Sequence, residues 1–296
     1  LAAPQRNQVA LIFAQPRTNI NYLFPSLAQT KFTLILMFYI AKLCVLLALT
    51  VPLAIVTIIL GLVDRHGKLV YRINQIWTWL ILRLGGVALS VRGLENLEPN
   101  QQYVFMVNHQ SNVDIPVLIQ SLVRFQLRWI AKKELLRVPF FGWAMWATKH
   151  ITVDRSDPLD ARKSLQRAKE RLDAGISIVV FPEGTRSRDG RLLPFKKGGF
   201  LLAVDTRTKI VPVTIIGSAS LLPAGAWKLR PGTIEVYVDS PIETDGYRVG
   251  KLRPLTDQVR RIIAARLDQR GGRPENQRAD VEPSSASNRP LAKLIA

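Results

Sequence analysis

The sequence predicts an α/β fold: a mixed, largely parallel sheet flanked by helices, preceded by an N-terminal apolar membrane-associated helical segment. Three observations carry this. Strand-like runs recur at 103–107, 127–131, 150–153, 176–181, 210–216 and 233–238, and the first, with no polar alternation, reads as a strand buried in a covered sheet. Helical patterns separate them, so the alternation argues for βα units. Finally, residues 32–63 carry one charge, Lys42, and the uninterrupted part 43–63 would extend about 31 Å as a helix, enough for the hydrocarbon core of a bilayer.

Taken in order, residues 1–31 are polar, show no period and begin without methionine; Met37 is one expected native start. The apolar run follows, with Pro52 able to kink it, so a re-entrant arrangement competes with a straight span. A cleavable signal peptide fits poorly, because the run is too long and lacks a small-residue cleavage site. Arg65, Lys68, Arg72 and Arg83 follow the run, against Arg6, Arg17 and Lys31 before it, a slight bias that puts the remainder on the cytoplasmic side. Residues 76–91, with Trp77, Trp79, Leu80, Ile81, Leu84 and Val87, read as a helix that grazes a lipid interface or covers the sheet. Asp157-Pro158 is a cap followed by a first-turn proline; Ala161, Leu165, Ala168 and Leu172 form one stripe, and Gly175 stops it. Residues 254–269 are a last amphipathic helix, and from 271 Gly, Pro, Ser, Asn and Arg predict a disordered basic tail. The expected organisation is a poorly structured 1–31, a membrane-associated helical region 32–90, an α/β domain 91–270 and the tail 271–296.

The formal charge is +19, and such an imbalance acts on anionic partners through a long-range field. Anionic lipid, phosphorylated substrate and nucleic acid all qualify by charge alone. Cys44, the single cysteine, lies inside the apolar run, which argues against disulfides, a four-thiolate zinc site and a thiol nucleophile.

Two polar islands sit where strands give out. The first, Asn108-His109-Gln110-Ser111-Asn112-Val113-Asp114, follows the run 103–107 and precedes a helix opening with Pro116 in its first turn. In one continuous helix His109 and Asp114 would lie roughly 140° apart. A turn between them brings the carboxylate to one imidazole nitrogen and leaves the other as a base aimed into open space. The second island, Phe181-Pro182-Glu183-Gly184-Thr185-Arg186-Ser187, leaves the strand 176–180. Gly184 permits close backbone approach, Thr185 offers a hydroxyl and Arg186 a planar fork of donors suited to phosphate, so it reads as an anion seat or as a solvated surface turn. Lys196, Lys197, Gly198 and Gly199 precede a helical run and could add charge and helix N-terminal amides.

These two islands, with the block 142–155 ending Ile151-Thr152-Val153-Asp154-Arg155 and the block Ile210-Val211-Pro212-Val213-Thr214, resemble the glycerolipid acyltransferase superfamily, and within it the 1-acylglycerol-3-phosphate acyltransferases. The likeness covers residues 65–245 and rests on all four blocks in order. It implies that His109 is a general base taking the proton from the sn-2 hydroxyl of lysophosphatidic acid as that oxygen attacks an acyl thioester, acyl-CoA or acyl-carrier protein, with Asp114 orienting the imidazole. It implies an acceptor phosphate against Gly184, Thr185 and Arg186, with Arg155 assisting, and no cofactor or metal. Glu183 has three roles open to it: orienting Arg186, orienting His109, or binding the acceptor. Lys132 and Lys133 either reach the phosphate or donor or belong to a solvated face. His150 reads as structural and His66 as solvated, whereas Phe140, Phe141, Trp143 and Trp146 suit a core, an acyl channel or a contact with the bilayer.

Other acceptors within the superfamily, glycerol 3-phosphate or another lysolipid, fit the same residues. A metal-dependent hydrolase built on His109, Asp114, Glu183 and His150 has acceptable ligand types without a recognised spacing. A basic module for membrane or nucleic acid explains the charge and leaves the paired islands unexplained; nucleic acid is not an expected partner, since neither an aromatic platform nor a reader motif is present.

Overall fold

The computed structural model describes residues 27–64, 67–139, 141–154, 156–226 and 228–271. The N-terminal segment to residue 26, Arg65, His66, Phe140, Arg155 and the tail beyond 271 lie outside the described residues. The chain divides into two compact units, 1–47 and 48–296. In the first, the described residues belong to helix α1, Leu27–Val63, which continues into the second unit as one element through Pro52. Its portion Ile40–Val63 is long and apolar enough to cross a membrane and is mostly exposed, with Cys44 on its surface.

The second unit is built on seven strands: β1 Val87–Arg92, β2 Val104–Val107, β3 Leu127–Lys132, β4 Ile151–Val153, β5 Ser177–Val180, β6 Ile210–Ile216 and β7 Gly232–Val238. Their order is β1-β7-β6-β2-β5-β3-β4, and the β6–β7 pair is antiparallel while the other pairs are parallel. The strand side chains alternate between two cores, as a pleated backbone requires. Phe105 and Val107 pack in one core with Tyr71 and Leu82 of α2 (Lys68–Gly85) and Val117 and Leu118 of α3 (Asp114–Ser121). Val104 and Met106 pack in the other with Leu172 of α5 (Pro158–Asp173), Phe200 of α6 (Gly198–Asp205) and Val259 of α8 (Arg253–Gly271). In chain order α4 (Phe141–Ala147) falls between α3 and α5, and the short α7 (Ser218–Leu221) between α6 and α8. A sheet covered on both faces needs near-continuous apolar strands, and all four residues of β2 and of β5 are buried.

One expected helix is corrected. The apolar residues 76–91 read as a single helix, but α2 ends at Gly85 and Val87 begins β1, which pairs in parallel with β7. Gly86 takes the left-handed conformation (φ 68°), and its N–H returns to the carbonyls of Leu82 and Arg83, closing the helix. Beyond it the alternation of Val87, Leu89 and Val91 toward the core is a strand period.

The order β6-β2-β5-β3 decides where a site can form. The chain leaves β2 through α3 on one face of the sheet, and it leaves β5 through α6 on the other. Two adjacent parallel strands whose connections depart to opposite faces open a crevice at their C-terminal ends, the usual ligand site of open α/β sheets.

His150, at the start of β4, stands edge-on to Trp129 (5.3 Å) and its Nδ1 meets the Trp129 N–H at 3.4 Å. Burial, aided by the Arg128 guanidinium, pushes its pKa down to about 3. With an unfolded value near 6.5, the neutral ring stabilises the fold above that pH, and the contribution is lost as pH falls toward the folded value. Denaturant titrations should therefore show a loss of stability between pH 7 and 5 that is reduced in His150→Asn; parallel curves for the two proteins would contradict a neutral structural histidine.

Candidate active site

Asn108 is the first residue beyond β2, and its buried amide extends the sheet by side chain: it donates to the Ile215 carbonyl (2.9 Å) and accepts from the Ile215 N–H (2.8 Å). The turn that follows is organised by Asp114, the first residue of α3, where the helix dipole favours a carboxylate. Asp114 is fully buried, and its Oδ2 accepts from the backbone N–H groups of Gln110 and Ser111 and meets His109 Nδ1, all at 2.8 Å. An ionised carboxylate only accepts, so the contact with an ionised Asp114 requires the ring proton on Nδ1 and, in a neutral ring, leaves Nε2 with a lone pair. The His109 ring also lies flat on Phe181, with centroids 3.9 Å apart and planes 14° from parallel. Its side chain keeps 15% of its surface exposed, so the crevice reaches the ring.

The second island closes on the first. The His109 N–H donates to Glu183 Oε1 (2.8 Å), the Ser187 N–H donates to the His109 carbonyl (2.8 Å), and Arg186 Nη1 donates to Asn112 Oδ1 (2.8 Å). Glu183 Oε2 accepts from the Leu193 N–H at 2.9 Å. Burial pushes the Glu183 carboxyl up to about 7, against the pull of these two backbone donors. Of its three open roles, the hydrogen bonds match the orienting of His109, through the backbone rather than the ring. The Gly184 N–H donates to the Phe181 carbonyl within the turn (2.9 Å), while Thr185 is exposed and Arg186 partly so. Both can therefore be met from solvent.

Other expected residues fall differently. Extending the strand registers sets Lys132 level with Asn108 and Pro182, two strands from β2 or about 10 Å across the sheet. Its ammonium is paired with Glu134 at 2.9 Å. Gly198 and Gly199 open α6, but Gly199 serves packing: a Cβ there would stand 2.8 Å from Val180 Cγ1 and 2.9 Å from Met106 Cε. Arg155 lies outside the described residues. Among the described residues no group of three His, Cys, Asp or Glu side chains could hold a metal ion. His150, grouped with His109 in the hydrolase reading, packs on Trp129 instead.

Sequence reasoning assigned no part to the Asn108 clamp, the Phe181 stack or the Asn112–Arg186 contact. Each joins residues at least 72 positions apart in the chain, and no local spacing signals such a pair.

Comparison with known proteins agrees with this geometry. Residues 88–216 match the family model described as Acyltransferase. A curated 1-acyl-sn-glycerol-3-phosphate acyltransferase of Chlamydomonas reinhardtii is 30% identical over 78% of this chain and 69% of its own length. Those of Pseudomonas aeruginosa and Ovis aries are 37% and 34% identical over 57% and 60% of this chain, and it spans 64% and 62% of them. The crystal structure of the 1-acyl-sn-glycerophosphate acyltransferase from Thermotoga maritima shares the fold, with a TM-score of 0.61 at 24% identity over 79% of this chain and 99% of that one. With the two polar islands in contact and these relatives beside them, the chain belongs to the 1-acyl-sn-glycerol-3-phosphate acyltransferase family.

Proposed function

We propose that this acyltransferase moves an acyl group from an acyl thioester, acyl-CoA or acyl-carrier protein, to the sn-2 hydroxyl of lysophosphatidic acid, giving phosphatidic acid. The carrying observation is the His109–Asp114 pair at the strand-end crevice, joined through Asn112 to an arginine that solvent can reach. The names of the relatives supply the acceptor.

In this reading His109 Nε2 takes the hydroxyl proton as the acceptor oxygen bonds to the thioester carbon. The C–S bond breaks, and the leaving thiolate takes the proton from the imidazolium. Asp114 stabilises that cation, and the flat contact with Phe181 offers it the negative face of an aromatic ring. A thioester already has a good leaving group, so the step calls on neither a metal nor a covalent acyl-enzyme. Arg186 and Thr185 receive the acceptor phosphate, and Asn112 holds the guanidinium fork toward it. Glu183 fixes the backbone on which the base is mounted. Apolar α1 attaches the enzyme to the membrane, with the catalytic domain on the cytoplasmic side and anionic lipid as its surroundings.

An acyl-transfer assay with purified protein tests this directly. His109→Ala should lower turnover roughly 100-fold to 10,000-fold with the fold intact, and near-normal turnover would refute the base assignment. Arg186→Gln should raise KM for lysophosphatidic acid roughly 10-fold to 100-fold with a smaller change in kcat. An unchanged KM would remove Arg186 from the phosphate site. A panel including glycerol 3-phosphate and other lysolipids, each with both donors, separates the remaining acceptors.

A further inference from the structure

The chain that leaves β3 begins level with Asn108 and runs back through α4 to the start of parallel β4, and along it stands a row of exposed apolar side chains. Leu135, Val138, Trp143 and Trp146 are exposed, the two tryptophans by 52% and 59%. They are not the loose side of a frayed segment. Met145 and Ala147 of α4 are buried, and the Thr148 hydroxyl donates back to the Ala144 carbonyl. Gly142 packs so closely on the Leu136 backbone that no Cβ fits.

This shelf adjoins the C-terminal end of α1. A Cβ on Gly61 would lie 2.6 Å from the Ala147 Cβ, and Lys149 Nζ donates to the Asp64 carbonyl at 2.7 Å. There α1 exposes Ile59, Leu62 and Val63. Exposed apolar side chains therefore occur on both elements of the α1–α4 contact. Arg137 is exposed within the same stretch, and exposed Lys133 just before it stands 3.8 Å from Asp154. Tryptophan beside lysine and arginine is the composition of a segment lying at a headgroup boundary, with its rings at the interface and its cations on lipid phosphates.

We propose that Leu135, Val138, Trp143 and Trp146 form a second membrane contact, in which an anionic bilayer receives the two tryptophans at its headgroup boundary. This contact rests on the membrane-attached reading given above and extends it: α1 tethers the enzyme, and the shelf beside its end fixes how the domain lies on the bilayer. An acyl chain drawn from solution does not require two exposed tryptophans beside cations, whereas a bilayer does.

The test uses the full chain with Cys44→Ser, carrying single cysteines in turn as Trp143→Cys, Trp146→Cys and, as an exposed control on α5, Glu170→Cys. Each is labelled with a polarity-sensitive fluorophore and reconstituted into phosphatidylcholine vesicles with or without phosphatidylglycerol. Labels at 143 and 146 should shift to the blue and be quenched several-fold more than the label at 170 by shallow nitroxide lipids, most strongly with phosphatidylglycerol present. Water-like emission at 143 and 146, equal to that at 170, would overturn the proposal. In parallel, Trp143→Ser with Trp146→Ser should slow turnover of long-chain lysophosphatidic acid in anionic vesicles roughly ten-fold and leave turnover of a short-chain soluble acceptor unchanged. Equal loss on both acceptors would overturn it in favour of an acyl-binding role. The quenching needs no catalysis, so an inactive parent protein would refute the acyl-transfer reading while leaving this one to stand or fall on depth.

Discussion

One carboxylate oxygen organises the site. Asp114 Oδ2 gathers two backbone N–H groups and the imidazole Nδ1 of His109 at a single buried point. Such concentration of donors has a price in desolvation, offset here by charge-assisted hydrogen bonds and by the start of a helix beneath the carboxylate. In return the turn from 108 to 114 has one conformation, and the imidazole has one tautomer and one orientation. Without that oxygen, the ring would be held only by stacking on Phe181 and by its own backbone.

The rest of the fold delivers this point to the crevice. Asn108 binds the turn to β6, Glu183 and Ser187 bind it to the exit of β5, and the two cores clamp β2 from either side. Because β2 and β5 are neighbours whose chains depart to opposite faces, His109 and Arg186 are carried together by strands that cannot shift without unpacking both cores. In the proposed reaction such preorganisation would lower the cost of reaching the transition state, since neither group would have to be assembled after substrate arrives.

Much of this was legible in the sequence. Six of the seven strands showed as apolar runs because a doubly covered sheet demands them, and the capping pair Asp157-Pro158 marked α5, where the Asp157 side chain does accept from the Leu159 N–H at 2.8 Å. Helical geometry forbids a His109–Asp114 contact within a continuous helix, so the sequence called for a turn that could bring them together, and the resemblance supplied their roles. β1 was missed because its apolar residues continue those of α2 without a polar break, and only the glycine pair 85–86 separates them. The reach of Glu183 to the His109 backbone was one of several readings, since a side chain 74 positions away leaves no local trace. Strand order was not legible either, and with it the neighbourhood of the two islands.

The most direct measurement of the central claim is nitrogen-15 NMR of the imidazoles in detergent-solubilised protein, tractable because the chain has three histidines. With His109→Gln used to assign the signals, the account predicts that neutral His109 carries its proton on Nδ1 and that Asp114→Asn abolishes this preference. A His109 ring protonated on Nε2, or one whose tautomer is indifferent to Asp114, would contradict it.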